Sequence, residues 1–133
     1  MRVEITTIED IQGSMLVFIY GLWRGVDTEW VTDLLAEKKP KFLILDLTEA
    51  ILYPDIELPI EEASSSRRNG VLRIATHMKD HPEMLYIIIN PNPSRPLNTS
   101  VSIYEKMGIA DRYIFVKNRD EAIATIHQYQ SKQ

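Results

Sequence analysis

Ser64-Ser65-Ser66-Arg67-Arg68 are the residues of this chain best suited to a chemical event. Hydroxyls standing where an acidic segment gives way to a helical pattern have two uses. They can cap the helix start, or they can accept a phosphoryl group whose charge meets the helix N-terminus and the adjoining guanidinium groups. His77 and His81 are four apart, the spacing that puts two imidazoles on one helical face for a metal. No glutamate follows His77 as a zinc peptidase requires, and Pro82 breaks the helix, so no metal site is expected. Asp46 ends an apolar run and could serve as a general base, and Asp55, Glu57, Glu61 and Glu62 could act as paired carboxylates. Nothing supplies a matching nucleophile or oxyanion donor, which leaves a solvated acidic segment as the expectation. Trp23, beside Leu22 in an expected loop, fits a partner anchor as well as it fits core packing. His127 falls on the expected outer side of the last helix. No glycine-rich phosphate loop of either common pattern is present, and no cofactor is expected.

The elements that position these residues follow from periodicity. Val3, Ile5 and Ile8 alternate with polar residues, predicting a short edge strand. Residues 15–20 (MLVFIY) read as a buried strand closed by Gly21, and the turn chemistry of 11–14 makes the two a hairpin. Asp27 or Thr28 caps a helix whose apolar stripe is Trp30, Val31, Leu34 and Leu35, and Pro40 closes it. Residues 42–47 form the third strand, directly after that helix, so the helix is a crossover and the sheet is at least partly parallel. From about Ser65, Val71, Leu72, Ala75 and Met78 mark one face of a second helix. Residues 84–89 (MLYIII) are the most apolar strand and therefore central, ended by Asn90-Pro91-Asn92-Pro93. Thr99 or Ser100 caps a third helix carrying Val101, Tyr104 and Met107, with Gly108 as its left-handed end. Residues 113–116 (YIFV) are a fifth strand, and Asn118 with Glu121 forms a capping box for a last helix lined by Ala122, Ile123, Ile126 and Tyr129.

Composition bounds the rest. A chain of 133 residues is expected to form one domain, 1–133. With 19 acidic and 15 basic side chains its formal charge is -4, which argues against a general nucleic-acid binder. The absence of cysteine excludes disulfides, thiolate metal sites and a cysteine nucleophile. No apolar run is long enough for membrane insertion and the N-terminus reads as a strand, so a cytoplasmic protein is the expectation.

Two strands followed by three helix–strand alternations and a last helix resemble the order in STAS domains, the fold of bacterial anti-sigma factor antagonists. The resemblance extends to Gly21, Leu45-Asp46-Leu47-Thr48, Asn90-Pro91, the run Tyr104-Glu105-Lys106-Met107-Gly108-Ile109, Tyr113-Ile114-Phe115, and Asp120-Glu121-Ala122. It covers nearly the whole chain and is carried by the ordered set, each motif alone being weak. It implies an α/β fold with a mixed sheet of about five strands, an antiparallel N-terminal hairpin, the rest mainly parallel, and about four helices mainly on one face. Such proteins carry an Asp-Ser-Ser-Gly turn after the third strand, where a serine is phosphorylated by a partner kinase, and here the pattern departs. Spacing from Asp46 puts Pro54-Asp55-Ile56-Glu57 at that turn, without a hydroxyl. Counting back from Asn90-Pro91 lands on Ser64, Ser65 and Ser66 and implies an insertion of roughly ten residues, tolerable in a surface connection. The second alignment is favoured because helix length is harder to change than loop length.

The resemblance implies a non-enzymatic regulator that binds an anti-sigma factor of serine-kinase type. Ser65 or Ser66, with Ser64 beside them, is the expected phosphoacceptor, and Trp23, Asp55, Glu57, Arg67 and Arg68 the expected partner surface. ATP and magnesium would belong to the partner, and self-association is left open. A ligand-sensing or scaffold module, with a pocket near Trp23, Tyr53 and residues 90–96, is the alternative. A small flavodoxin-like enzyme is the third reading, disfavoured by the missing phosphate loop.

Overall fold

The computed structural model of the chain describes residues 2–23, 27–52, 60–90, 101 and 103–132, with the backbone alone at 22–23, 27–28, 52 and 60–69. The strands are β1 (Arg2–Thr6), β2 (Ser14–Trp23), β3 (Phe42–Leu52), β4 (Leu85–Ile89) and β5 (Tyr113–Val116). They form a single five-stranded sheet in sequence order, with β1 antiparallel to β2 and every other neighbouring pair parallel. The helices are α1 (Asp27–Lys38), α2 (Ile60–Asp80), α3, helical over 103–106, and α4 (Arg119–Ser131). This is the α/β mixed sheet expected from the order of elements.

The hairpin turn is tied by Ser14, whose Oγ accepts from the Ile8 N–H at 2.9 Å and donates to the Ile11 carbonyl at 2.7 Å. Gly13 takes φ +80° there, and its carbonyl accepts from the N–H groups of Lys41 and Phe42 at the start of β3. A side chain at this position would meet the Lys41 Cβ at 3.1 Å, so glycine suits both the backbone angle and the close approach.

Three helices and one helix divide the two faces of the sheet. Val31, Leu34 and Leu35 of α1, Val71, Ile74, Ala75 and Met78 of α2, and Tyr104 of α3 pack on Met15, Val17, Ile19, Leu43, Leu45, Tyr86 and Ile88. Right-handed crossovers between adjacent parallel strands land on the same side, which places α1, α2 and α3 together. On the other face Ala122 and Ile126 of α4 cover Phe42, Ile44, Leu85, Ile87, Ile89 and Val116. Among the described residues α4 does not link two strands, so the crossover rule does not bind it. β4, flanked by β3 and β5, is buried along its whole length, as its composition predicts.

Two strand ends and one helix start differ from expectation. β2 continues through Gly21, at φ +94°, to Trp23, and β3 continues past Leu47 to Leu52, the two pairing from Tyr20↔Glu49 to Trp23↔Leu52. Gly21 stays in the ladder, and the register shift between Phe18 and Tyr20 accommodates an extra residue on β3. Leu22 and Trp23 therefore belong to a strand, not a loop. α2 begins at Ile60 rather than near Ser65, because Glu61, Glu62 and Ala63 favour helix and acidic residue types suit a first turn.

Candidate functional site

The parallel strands end at one edge of the sheet, and α2, which leaves β3 and must reach the start of β4, begins at that edge. Trp23 closes β2 with its backbone paired to Leu52, the residue from which the chain enters the acidic segment. Asp55, Glu57 and Tyr53 lie outside the described residues, as does the part of the 90–96 segment beyond Asn90. Ser64, Ser65 and Ser66 are the fifth to seventh residues of α2, in its second turn rather than at its cap. Their N–H groups fall within the intrahelical ladder, so a phosphate there would lack the free N–H groups of a helix end. Arg67 and Arg68 stand three and four residues beyond Ser64 on the same helix, the spacing at which helical charges interact.

Asp46 is a structural acid. Only 1% exposed, it accepts from the Thr48 N–H at 3.0 Å, the Thr48 hydroxyl at 2.6 Å and Arg119 Nε at 2.9 Å. The two Thr48 bonds close a local turn where β3 takes its register shift. Arg119 opens α4 and also lies over the Phe18 ring, its Cζ 5.5 Å from the centroid. With all these partners Asp46 is poorly placed to act as a base. Arg119 carried no signal in the sequence, since its carboxylate partner is 73 residues away.

The start of α4 is closed as the capping box predicts: Asn118 Oδ1 accepts from the Glu121 N–H at 2.9 Å. Glu121 reaches back one residue further than usual, to the Lys117 N–H at 2.7 Å. Beside this helix start a cavity of about 290 Å³ opens between the hairpin, the sheet and α4. It lies on the face of the sheet opposite α2.

His77 and His81 stack with ring centroids 4.1 Å apart, and His81 Nδ1 lies 2.8 Å from the His77 carbonyl oxygen. Among the described residues no group of three metal-ligating side chains gathers there or elsewhere. Burial, reinforced by the charge of His81, lowers the His77 pKa. His127 is exposed. Arg112 is a second unforeseen residue: Nη1 donates to the carbonyls of His81 and Met84, both at 3.0 Å, and Nη2 to that of Met78 at 2.9 Å. It thereby holds the end of α2 to the start of β4. Tyr86, Tyr104 and Tyr113 cluster under α3, and burial keeps the Tyr86 and Tyr104 phenols protonated well above their ordinary range.

An antiparallel hairpin leading into parallel crossovers, with a helix beginning at the carboxyl edge after β3, is a specific combination. The chain shares its fold with an anti-sigma factor antagonist. The solved structure of SpoIIAA in its unphosphorylated form matches 95% of this chain and 98% of its own, with a TM-score of 0.58 and 11% sequence identity. No family profile matches the chain, and no curated protein matches it by sequence. Among the described residues no helix is long and apolar enough to cross a membrane.

Proposed function

We propose that this chain is a non-enzymatic regulator that binds an anti-sigma factor of serine-kinase type and is switched by phosphorylation on α2. The observation that carries this reading is the near-complete overlap with the SpoIIAA structure, over 95% of this chain and 98% of that one. The partner surface is the carboxyl edge of the sheet: Trp23 at the end of β2, Asp55 and Glu57 in the acidic segment, and Arg67 and Arg68 on α2. ATP and magnesium belong to the partner, and this chain supplies only the hydroxyl. Ser65 or Ser66 is the acceptor, with Ser64 adjoining, and Arg67 and Arg68 are the nearest cations in sequence.

Phosphorylation adds close to two negative charges to a segment already rich in carboxylates. A partner face that accepts a neutral serine then meets repulsion and a strongly hydrated group that must be desolvated, so binding weakens while the fold persists. The test is incubation with a serine-kinase anti-sigma factor and ATP, followed by mass spectrometry of the peptide spanning Ser64 to Ser66. Phosphate on Ser65 or Ser66, and loss of partner binding in a Ser65→Asp, Ser66→Asp double variant, are the expected results. An unmodified peptide, or a double variant that binds like the parent, would transfer the reading to the alignment through Asp55 and Glu57, a protein regulated without serine phosphorylation. Charge reversal of Arg67 and Arg68 should slow association about tenfold and reduce its dependence on salt, because rim charges act mainly on encounter.

A further inference from the structure

The cavity beside α4 is built differently from the rest of the interior. Its walls are Ile8, Leu16, Ile44, Ile89 and Ile123, an apolar sleeve between the hairpin turn, the sheet and the helix. Thr6, Thr7 and Arg119 supply its polar groups. A mostly apolar hollow with a few convergent polar groups is the usual form of a small-molecule site, and about 290 Å³ stands at the lower end of the range. We propose that this cavity binds a small monocarboxylic acid, its tail along the isoleucine walls and its carboxylate against Arg119.

The charge arrangement selects the headgroup. Arg119 is the only ionisable side chain among the cavity's described lining. Its Nε is engaged by Asp46 and its Cζ lies 5.5 Å from the Phe18 ring centroid, so the guanidinium is held at two points in advance. Nη1 and Nη2 have no hydrogen-bond partner among the described residues, and together they present the fork that a carboxylate matches. Asp46 cannot recruit a cation into the cavity, because it is buried and already accepts from Thr48 and Arg119. Since Asp46 balances part of the Arg119 charge, a monoanion suits the site better than a phosphate dianion, which brings more charge than one shared guanidinium can match. The volume admits a ligand of roughly ten non-hydrogen atoms, and such a ligand binds with a Kd on the order of 0.1–1 mM.

This inference does not depend on the partner reading, since the cavity lies on the opposite face from α2. The experiment is a titration of the full chain with octanoate and, separately, octanol, followed by amide chemical shifts. Octanoate should give saturable shifts at Ile8, Leu16, Ala122 and Ile123, and octanol should bind the same residues about tenfold more weakly. Arg119→Gln should bring octanoate down to the affinity of octanol while leaving octanol unchanged, which also shows that the cavity is intact. Ile123→Trp, which fills the cavity from a half-buried position, should abolish binding of both. Octanol binding as well as octanoate, no saturable shift with either, or an Ile123→Trp protein that still binds both would each overturn the proposal.

Discussion

The two faces of the sheet are covered by different means. On one, α1 and α2 are each joined to strands at both ends, and they bury Leu35, Ile74 and Met78 completely. On the other, α4 is joined among the described residues to a strand at its start alone, and of its own residues it buries Ala122 and Ile126. What supplements that thinner apolar contact is polar: the Asn118 cap, the pair between Asp46 and Arg119, and an edge-to-face contact of Tyr129 with Phe42. The crossovers are held by chain connectivity and dense packing together, whereas α4 is fastened largely by side chains. Incomplete cover also leaves room, and the isoleucine-walled cavity lies under the helix that is fastened in this way.

The largest effect should come from cutting the denser face. Met78→Ala removes a fully buried side chain between α2 and the sheet and should cost about 3–4 kcal/mol in denaturant unfolding, felt by the whole fold. Ile126→Ala should cost about 2–3 kcal/mol, and hydrogen exchange should show the lost protection concentrated in α4. Uniform loss of protection in both variants would break the contrast between the faces.

The two arginines sharpen it. Arg112 donates three hydrogen bonds to carbonyls at the junction of α2 and β4, so Arg112→Met should destabilise by about 2 kcal/mol and loosen the end of α2. Arg119→Met should cost less, about 1 kcal/mol. Its side chain is 54% exposed, which weakens the pair through solvent screening, and Asp46 keeps both Thr48 bonds. Its effect should appear as faster exchange in the first turns of α4. An Arg119 variant more damaging than the Arg112 variant would mean that the polar clamp, rather than apolar burial, holds the second face.

What the sequence made legible was what local spacing encodes. The hairpin, the buried strands at 15–20 and 84–89, the stripe of Val31, Leu34 and Leu35, the Asn118 cap and the left-handed Gly108 all depend on residues within a few positions of one another. The strand ends were harder to see. Gly21 looked like a stop, yet the ladder runs through it, and the shift that permits this is set by Asp46 and Thr48 on the neighbouring strand. The start of α2 was obscured because Glu61 and Glu62 read equally as acidic loop or as the first turn of a helix. Arg119 and Arg112 had no local signature at all. Their partners are at least 28 residues away, and only the folded topology brings them together.

The smallest effect concerns pH, and it tests whether the well-packed face contains a weak point of its own. His77 lies at the groove between α2 and α1 near Thr32, Ala36, Arg73 and Asp80, and its Nε2 is buried without a hydrogen-bond partner among the described residues. Burial lowers its pKa, the stacked His81 lowers it further, Asp80 acts in the opposite sense and Lys39 adds a small lowering. In the unfolded chain a histidine takes its proton near pH 6.5, whereas in the folded chain His77 resists protonation to lower pH. The unfolded state therefore binds more protons in that window, and stability falls as pH drops from about 7 through the lowered folded value. His77→Gln should flatten this part of the profile, and His81→Gln, by removing the neighbouring positive charge, should make it shallower without abolishing it. The measurement is the urea midpoint of the three proteins at several pH values between about 7 and 5. If the His77→Gln profile runs parallel to the parent's, the buried imidazole is not the source of acid sensitivity, and the crossover face has no titratable weak point at that groove.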